Sequence, residues 1–274
     1  MVYLNKYAIL IILACLVPTH SSASEAPNFW DLKSGYARPV QIPDTIQFLA
    51  TDGYPPFVFR DAEGRLTGFN VDLARRLCQE LEISCSLRIK DFDELLTGLR
   101  EEEGDAIMAG LARSAELAED VVFSEDYLKL PARFIAPLGQ YDTSKTPEIK
   151  NTTISVEAGS RHEAFAQSFF SGATIVSLAT VQDARNAVAS GAADYHFGDG
   201  LELSFWLQSE TSGNCCEFIG GPWLEPGYFD QGMSIATRRE DRSTLDAINY
   251  GLERLYRNGT YQELYLRYFP LGFY

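Results

Sequence analysis

Asp199 closes a short apolar run, Asp194-Tyr195-His196-Phe197-Gly198-Asp199, where a carboxylate without a cation nearby is costly. Gly159-Ser160-Arg161-His162 comes just before a helical run, so free N–H groups and a guanidinium there suit an anion. Together the acidic and the basic group suit a small zwitterion or a cationic polar metabolite. Gly110 breaks the apolar run Ala106 to Ala109 and lets a backbone approach a ligand with no side chain in the way. Catalysis would need a general acid or base in reach of the substrate. His162, His196 and Glu225 are the candidates, and none has a spacing that requires that role.

The cysteines suggest a different chemistry. Cys78 and Cys85 lie one on the first helix and one on the strand after it, and in an oxidising compartment they can bridge. Cys215 and Cys216 are adjacent in a Gly/Asn-containing loop, which fits either a vicinal disulfide or two partly exposed thiols. Neither pair combines with the three histidines at a zinc-ligand spacing, so no metal and no cofactor is expected.

The elements that must position these residues are legible in order. Ile46 to Ala50 reads as the first strand. Asn70 is a good helix N-cap, with Leu73, Leu77 and Leu81 recurring four apart behind it. Asp91 with Glu94 forms a capping-box pattern before Phe92, Leu95, Leu96 and Leu99 at helical spacing, and Gly104 stops that helix. Strand, helix, strand, helix, strand predicts a parallel sheet. Arg133 to Ala136 reads as a strand leaving this unit, and residues 137–150 as a linker. A second unit follows, and its Gly191…Asp194-Tyr195-His196-Phe197-Gly198 repeats the pattern of Gly104-Asp105-Ala106-Ile107-Met108-Ala109-Gly110. Gly232 to Ala236 then returns to the first unit. Its helix carries Leu245, Ile248, Leu252 and Leu255, and a last helix has Thr260 with Glu263 as its capping box. Two lobes joined by two crossovers are built to close like a hinge.

Composition sets the outer bounds. The 274 residues suffice for one large or two medium domains, and the net charge is −15. Phosphate contact needs clustered Lys and Arg, so a nucleic-acid partner is excluded on charge. Lys6, an apolar stretch from Tyr7 to Val17 and Ser21-Ser22-Ala23 read as a signal peptide over residues 1–23, so export is expected. Residues 24–44 read as an N-terminal extension over the first lobe, with Phe29 and Trp30 as its large apolar pair.

Four stretches carry a resemblance when taken in order. They are Asp52-Gly53-Tyr54-Pro55-Pro56-Phe57, Gly68-Phe69-Asn70-Val71-Asp72-Leu73, Gly104-Asp105-Ala106-Ile107-Met108 and Val122-Phe123-Ser124. The chain resembles the periplasmic solute-binding proteins of polar amino acid ABC transporters (family 3), from about Thr45 to Phe269. The resemblance implies a type II periplasmic-binding-protein-like α/β fold, each lobe a mainly parallel sheet flanked by helices, with a two-strand hinge. The expected division is 45–136 plus 230–274 for lobe 1 and 137–229 for lobe 2. It implies a periplasmic, monomeric receptor that captures a small amino-acid-like metabolite and delivers it to an ABC permease. Several members of that family carry a cysteine pair at the spacing of Cys78 and Cys85.

Matching positions give the expected site. Tyr54 and Phe57 would stack on the ligand, and Gly110 and Leu111 would offer backbone groups. Ser160 and Arg161 would form the second-lobe loop, and Asp199 would take the ammonium. The family's carboxylate-binding arginine falls at Leu117 in this chain, leaving Arg113 as the nearby guanidinium. That departure keeps two other readings open: an exported dehydratase-like enzyme on the same fold, and a periplasmic accessory or sensor protein.

Overall fold

The computed structural model describes residue 27, residues 35–269 and residues 271–274. The expected signal peptide and the pair Phe29–Trp30 lie outside the described residues. The chain opens with β1 (Thr45–Ala50), the hairpin β2 (Phe59–Arg60) and β3 (Leu66–Thr67), then α1 (Phe69–Leu81) and β4 (Ser84–Ile89). It continues through α2 (Leu95–Arg100), β5 (Ala106–Ile107), β6 (Val121–Phe123) and β7 (Leu128–Lys129). The second lobe holds β8 (Ala132–Pro137), β9 (Thr153–Glu157), α3 (Arg161–Phe169), β10 (Thr174–Leu178), α4 (Val181–Ala189), β11 (Tyr195–Asp199), α5 (Gly200–Gln208) and β12 (Cys216–Trp223). The return runs through β13 (Gly232–Met233) and β14 (Ala236–Arg238) to α6 (Arg242–Arg257) and α7 (Thr260–Tyr268).

The two five-stranded sheets have one topology. The orders are β4-β1-β5-β14-β6 and β10-β9-β11-β8-β12. In each, four strands run one way and the fourth in that order, β14 or β8, runs against its two neighbours, so the sheets are mainly parallel with one antiparallel strand. The antiparallel strand of each sheet is the first one the chain enters after crossing between lobes: β8 follows β7, and β14 follows β13. β8 pairs with β11 and β12, so the sheet-level crossover precedes Ala132, earlier than the expected 136/137 division. The crossing itself is a two-strand device, β7 antiparallel to β13, with Met233 opposite Leu128.

Asp105 and Asp194 explain the sequence echo. Asp105 accepts from the Gln47 amide at 2.8 Å, and Asp194 from the Thr153 amide at 2.7 Å. Each aspartate satisfies an amide of the first parallel strand of its lobe, so the echo reflects a repeated local device. Alternation sets the layers. Ile46, Phe48 and Ala50 face the core under α1, α6 and α7, while Leu49 and Ile107 face the smaller core under α2. A strand covered on both faces reads as a continuous apolar run, which β1 is over Phe48-Leu49-Ala50.

Three expected caps are built differently. Gly68 occupies the N-cap of α1, and Asn70 is buried in the first turn. Asp91 makes no side-chain cap bond. Gly259, not Thr260, precedes α7, and Glu263 pairs with Arg267 instead. Ser160 caps α3, its Oγ accepting from the Glu163 amide at 3.1 Å, and Glu163 reaches back one residue past the cap, its Oε2 accepting from the Gly159 amide at 2.6 Å.

Cys78 and Cys85 are joined, tying α1 to β4 with Cα atoms 6.1 Å apart. Cys215 and Cys216 form a vicinal pair at the start of β12. Replacing both Cys78 and Cys85 by serine is expected to cost about 2–3 kcal/mol, because the closed loop is short. The urea midpoint of the oxidised protein checks this; an unchanged midpoint would show that the pair contributes nothing. In the N-terminal segment, the Tyr36 amide donates to Glu253 of α6 and its hydroxyl to Glu125, which holds the segment on lobe 1.

Candidate functional site

The carboxyl ends of β1, β4 and β5 lie side by side at one edge of the first sheet, and the loops leaving them carry the first-lobe candidates. In open α/β sheets ligands sit at such edges. Tyr54 stands on the loop after β1, where its amide donates to Val58 O at 2.9 Å. It is 43 % exposed, a large value for an aromatic beside a well-packed core. Burial first, and then the Asp199 and Glu202 carboxylates across the cleft, push its phenol above the usual range. The Asp199 and Glu202 carboxylates of lobe 2 are thus within electrostatic reach of the Tyr54 hydroxyl of lobe 1. Gly110 lies on the same side: a Cβ added there would stand 3.9 Å from Tyr54 Cε1. With φ at +69°, a conformation L side chains rarely adopt, glycine suits that position.

Phe57 and Leu111 are placed otherwise. Phe57 is 1 % exposed and packs on Phe69 and Phe269 under the Tyr54 ring, 5.0 Å from it. The tight turn from Tyr54 to Val58 brings the two rings together, so Phe57 backs Tyr54 from the core side. Leu111 is buried in the cluster under α2. Leu117, at the position of the expected arginine, packs against the same cluster from a single 3-10 turn, Leu117–Glu119. An apolar contact therefore stands where a ligand-facing guanidinium would be.

Arg113 is committed within lobe 1. Its Nη1 lies 2.6 Å from Asp126 Oδ1, and its Nη2 donates to Ser124 O at 3.0 Å. Burial still holds the Asp126 carboxyl above its ordinary range despite the guanidinium, so the pair is worth keeping intact. This ties the loop after β5 to the turn before β7.

In lobe 2, Asp199 caps α5, its Oδ1 accepting from Leu201 N at 2.9 Å and Glu202 N at 3.1 Å. Among the described residues, its Oδ2 has only a long contact, 3.4 Å, to Arg161 Nη2. Burial dominates its titration and raises its pKa; the Glu202 charge adds to that, while the cap bonds and Arg161 oppose it. A carboxylate so desolvated and so weakly paired is stabilised by an added cation. Arg161 opens α3, which Ser160 caps. Its guanidinium is partly exposed and lies 5.6 Å from the Phe229 ring. The first amides of α3 point the same way as any helix start, without intrahelical partners.

The two histidines sit in apolar surroundings. His162 stacks on Phe229 at 5.1 Å, and burial pushes its pKa down to about 3. His196 is buried in β11, its Nδ1 3.0 Å from Ser155 O, and is also pushed to about 3 by burial. Both are neutral at pH 7. Glu225 is exposed on the loop after β12.

Two contributors escaped the sequence reading. Phe92 stands at helical spacing with Leu95, Leu96 and Leu99 in the sequence. A 3-10 turn, Phe92–Glu94, precedes α2 and shifts the helical phase, leaving Phe92 47 % exposed just past the end of β4. Its position directly after a strand end was the available signal. Asn70 is the other. Its Nδ2 donates to Met108 O at 3.3 Å, and Tyr127 OH donates to its Oδ1 at 3.1 Å, so it fixes the end of β5 from α1. A buried side chain with both ends bonded positions a loop far more rigidly than packing does.

Comparison with known proteins places this geometry. Residues 46–271 match the family model of bacterial extracellular solute-binding proteins, family 3. The ABC transporter arginine-binding protein 1 of Escherichia coli K12 is 30 % identical over 229 residues, covering 83 % of this chain and 91 % of that protein. The lysine/arginine/ornithine-binding periplasmic protein of the same organism is 26 % identical over 235 residues, covering 85 % and 90 %. The L-cystine solute receptor of Neisseria gonorrhoeae, in its unliganded open conformation, superposes with a TM-score of 0.70 at 19 % identity over 82 % of this chain and 92 % of that one. That similarity shows a shared fold, the type II periplasmic-binding-protein fold. Matched along most of its length by the family model and by relatives of similar size, the chain belongs to the bacterial extracellular solute-binding proteins, family 3.

Proposed function

We propose that this receptor captures a basic amino acid, arginine foremost, between its lobes in the periplasm and delivers it to an ABC permease. The observation that carries this is Asp199: a desolvated carboxylate at the cleft whose outer oxygen has only a 3.4 Å contact to a cation. It takes the α-ammonium. Arg161 and the first amides of α3 take the α-carboxylate, so lobe 2 holds both ends of the zwitterion. This departs from an arginine on lobe 1, where Leu117 is packed and Arg113 is held by Asp126. Tyr54 and Phe92, both exposed at the edge of the first sheet, offer ring faces to a cationic side chain. A net charge of −15 favours the approach of a cation. The relatives named for arginine or for lysine, arginine and ornithine agree with this chemistry.

Titration calorimetry with arginine, lysine, ornithine, glutamine and agmatine tests the reading. Arginine is expected to bind, and agmatine, which lacks the carboxylate, to bind more weakly. Arg161→Ala is expected to weaken arginine by about 10- to 100-fold, as loss of a charge-assisted hydrogen bond does, and to leave agmatine unchanged. Equal loss for both ligands would move the carboxylate contact away from Arg161. No binding of any basic amino acid at millimolar concentration would overturn the substrate class.

A further inference from the structure

The loop that leaves β5 is tied to the crossing between the lobes on both of its sides. On the near side, Met108 O accepts from Asn70 Nδ2 at 3.3 Å, and Tyr127 OH donates to Asn70 Oδ1 at 3.1 Å. On the far side, Arg113 Nη1 lies 2.6 Å from Asp126 Oδ1, and its Nη2 donates to Ser124 O at 3.0 Å. Between these ties Gly110 meets the returning chain directly: a Cβ added there would stand 3.2 Å from Met233 Cε. Both ties end on consecutive residues, Asp126 and Tyr127, just ahead of β7.

Those two residues belong to the hinge itself. The Tyr127 amide donates to Met233 O at 2.8 Å and the Ser124 amide to Ile235 O at 2.8 Å. The Ile235 amide returns a bond to Ser124 Oγ at 2.9 Å, and Leu128 pairs with Met233. The outgoing and returning chains are thus one hydrogen-bonded unit. The Asp126 carboxyl lies over Gly232 of the returning strand, where an added Cβ would come 2.6 Å from Asp126 Cγ. A mostly buried carboxylate held between that glycine and a guanidinium resists displacement of either, because separating the pair strands a desolvated charge. Tyr127 is fully buried, so its hydroxyl bond is equally costly to leave unmade.

We propose that Arg113, Asp126 and Tyr127 are positioning residues that lock the loop 109–112 to the hinge, so that a ligand touching the loop biases the arrangement of the lobes. This rests on the reading that the cleft takes an amino acid. Arg113, expected from the sequence as a guanidinium for the ligand, acts through Asp126 instead. Coupling of this kind needs an element with two arrangements, and the two-strand crossing is that element. The lobe arrangement must in turn bias ligand affinity by the same factor.

Hydrogen exchange followed by mass spectrometry on the whole protein tests this, with arginine as the probe. In the wild type, saturating arginine is expected to slow exchange at 109–112 and at the hinge amides of 124–127 and 233–235 together. Arg113→Met, Asp126→Asn and Tyr127→Phe should each retain the slowing at the starts of α3 and α5 but lose it at the hinge. Each should also weaken arginine by about two- to thirtyfold, the range seen along coupled networks. Arg113→Lys keeps a cation opposite Asp126 and should keep the hinge response. A merely structural role would speed exchange over the whole chain and leave the ratio of liganded to free rates at the hinge unchanged, which would overturn the proposal. A hinge response that survives all three substitutions would overturn it too. If arginine slows exchange nowhere in the wild type, the substrate reading fails and the coupling is read without ligand. Arg113→Met and Asp126→Asn should then speed exchange at 109–112 and at the hinge by one common factor, and unequal factors would overturn the coupling.

Discussion

Asp199→Asn is expected to abolish the thermal shift produced by arginine while raising the melting temperature of the unliganded protein at neutral pH. Both effects come from one cause. Truncating one partner of a buried charge pair costs about 2–5 kcal/mol of binding, which corresponds to roughly a 30- to 5,000-fold loss of affinity. Asparagine keeps the cap on α5, since its side-chain oxygen accepts from Leu201 and Glu202 as the aspartate does. The helix therefore survives and only the charge is lost.

The gain in stability follows from linkage. Burial raises the Asp199 pKa above its ordinary value. An acid raised in this way has its full stabilising effect at low pH and loses it as pH rises through the folded-state value. At neutral pH the ionised group is a stability deficit, and the asparagine variant carries none. The wild type should accordingly melt higher as pH falls through that raised value, relative to the variant. Arginine affinity should move the other way, falling about tenfold per pH unit below the same value, because the protonated acid cannot pair with an ammonium. Melting curves and calorimetry from pH 4 to 8 read both. A variant that melts no higher than wild type would mean that Asp199 is better solvated than its surroundings indicate.

Gly68→Ala is expected to give the largest loss of stability of any substitution near the site, about 3 kcal/mol or more. Gly68 has φ +130° and ψ 169°, a region that a residue with a Cβ does not enter without strain. An added Cβ would also fall 2.2 Å from the Phe57 carbonyl oxygen, which is backbone and has no rotamer to move. That carbonyl accepts from the Asn70 amide at 3.0 Å, and Pro56 O accepts from Phe69 at 2.8 Å. The start of α1 thus holds the loop that carries Tyr54. A melting temperature lower by about 10 °C is expected for a chain of this size, with weakened arginine binding because Tyr54 shifts. Gly64→Ala is the control: it also has positive φ, but nothing lies within 4 Å of the added atom. An equal effect at both positions would show that backbone strain, not the contact with Phe57, dominates.

Much of this architecture is local and therefore legible. The apolar strand runs and the four-residue spacing behind Asn70 belong to single elements, and the glycine–aspartate echo belongs to a local turn. Those features do not depend on distant parts of the chain, and the structure contains each of them. The resemblance in four ordered stretches named the family correctly. The caps were less legible. Asn70 has the chemistry of an N-cap, but Met108 and Tyr127, brought close only by folding, compete for its side chain. The exposure of Phe92 was not legible, because one 3-10 turn changes helical phase by an amount that periodicity does not register.

The sequence by itself determined that this chain makes two α/β lobes joined by two crossovers, and that Leu117 stands where an arginine would be expected. The first follows from residue type and spacing, which are properties of the chain alone, and the second from the family resemblance that the sequence carries. Only the tertiary structure decided which groups are available to a ligand. Arg113 and Arg161 are equivalent as letters, yet Asp126 engages one and the other lies beside a desolvated carboxylate. Tyr54 and Phe57 are three residues apart, yet one is exposed and the other is buried in the core. Partnership and burial are set by groups distant in sequence, and the free energy of a charge or a ring depends on those neighbours rather than on its own type.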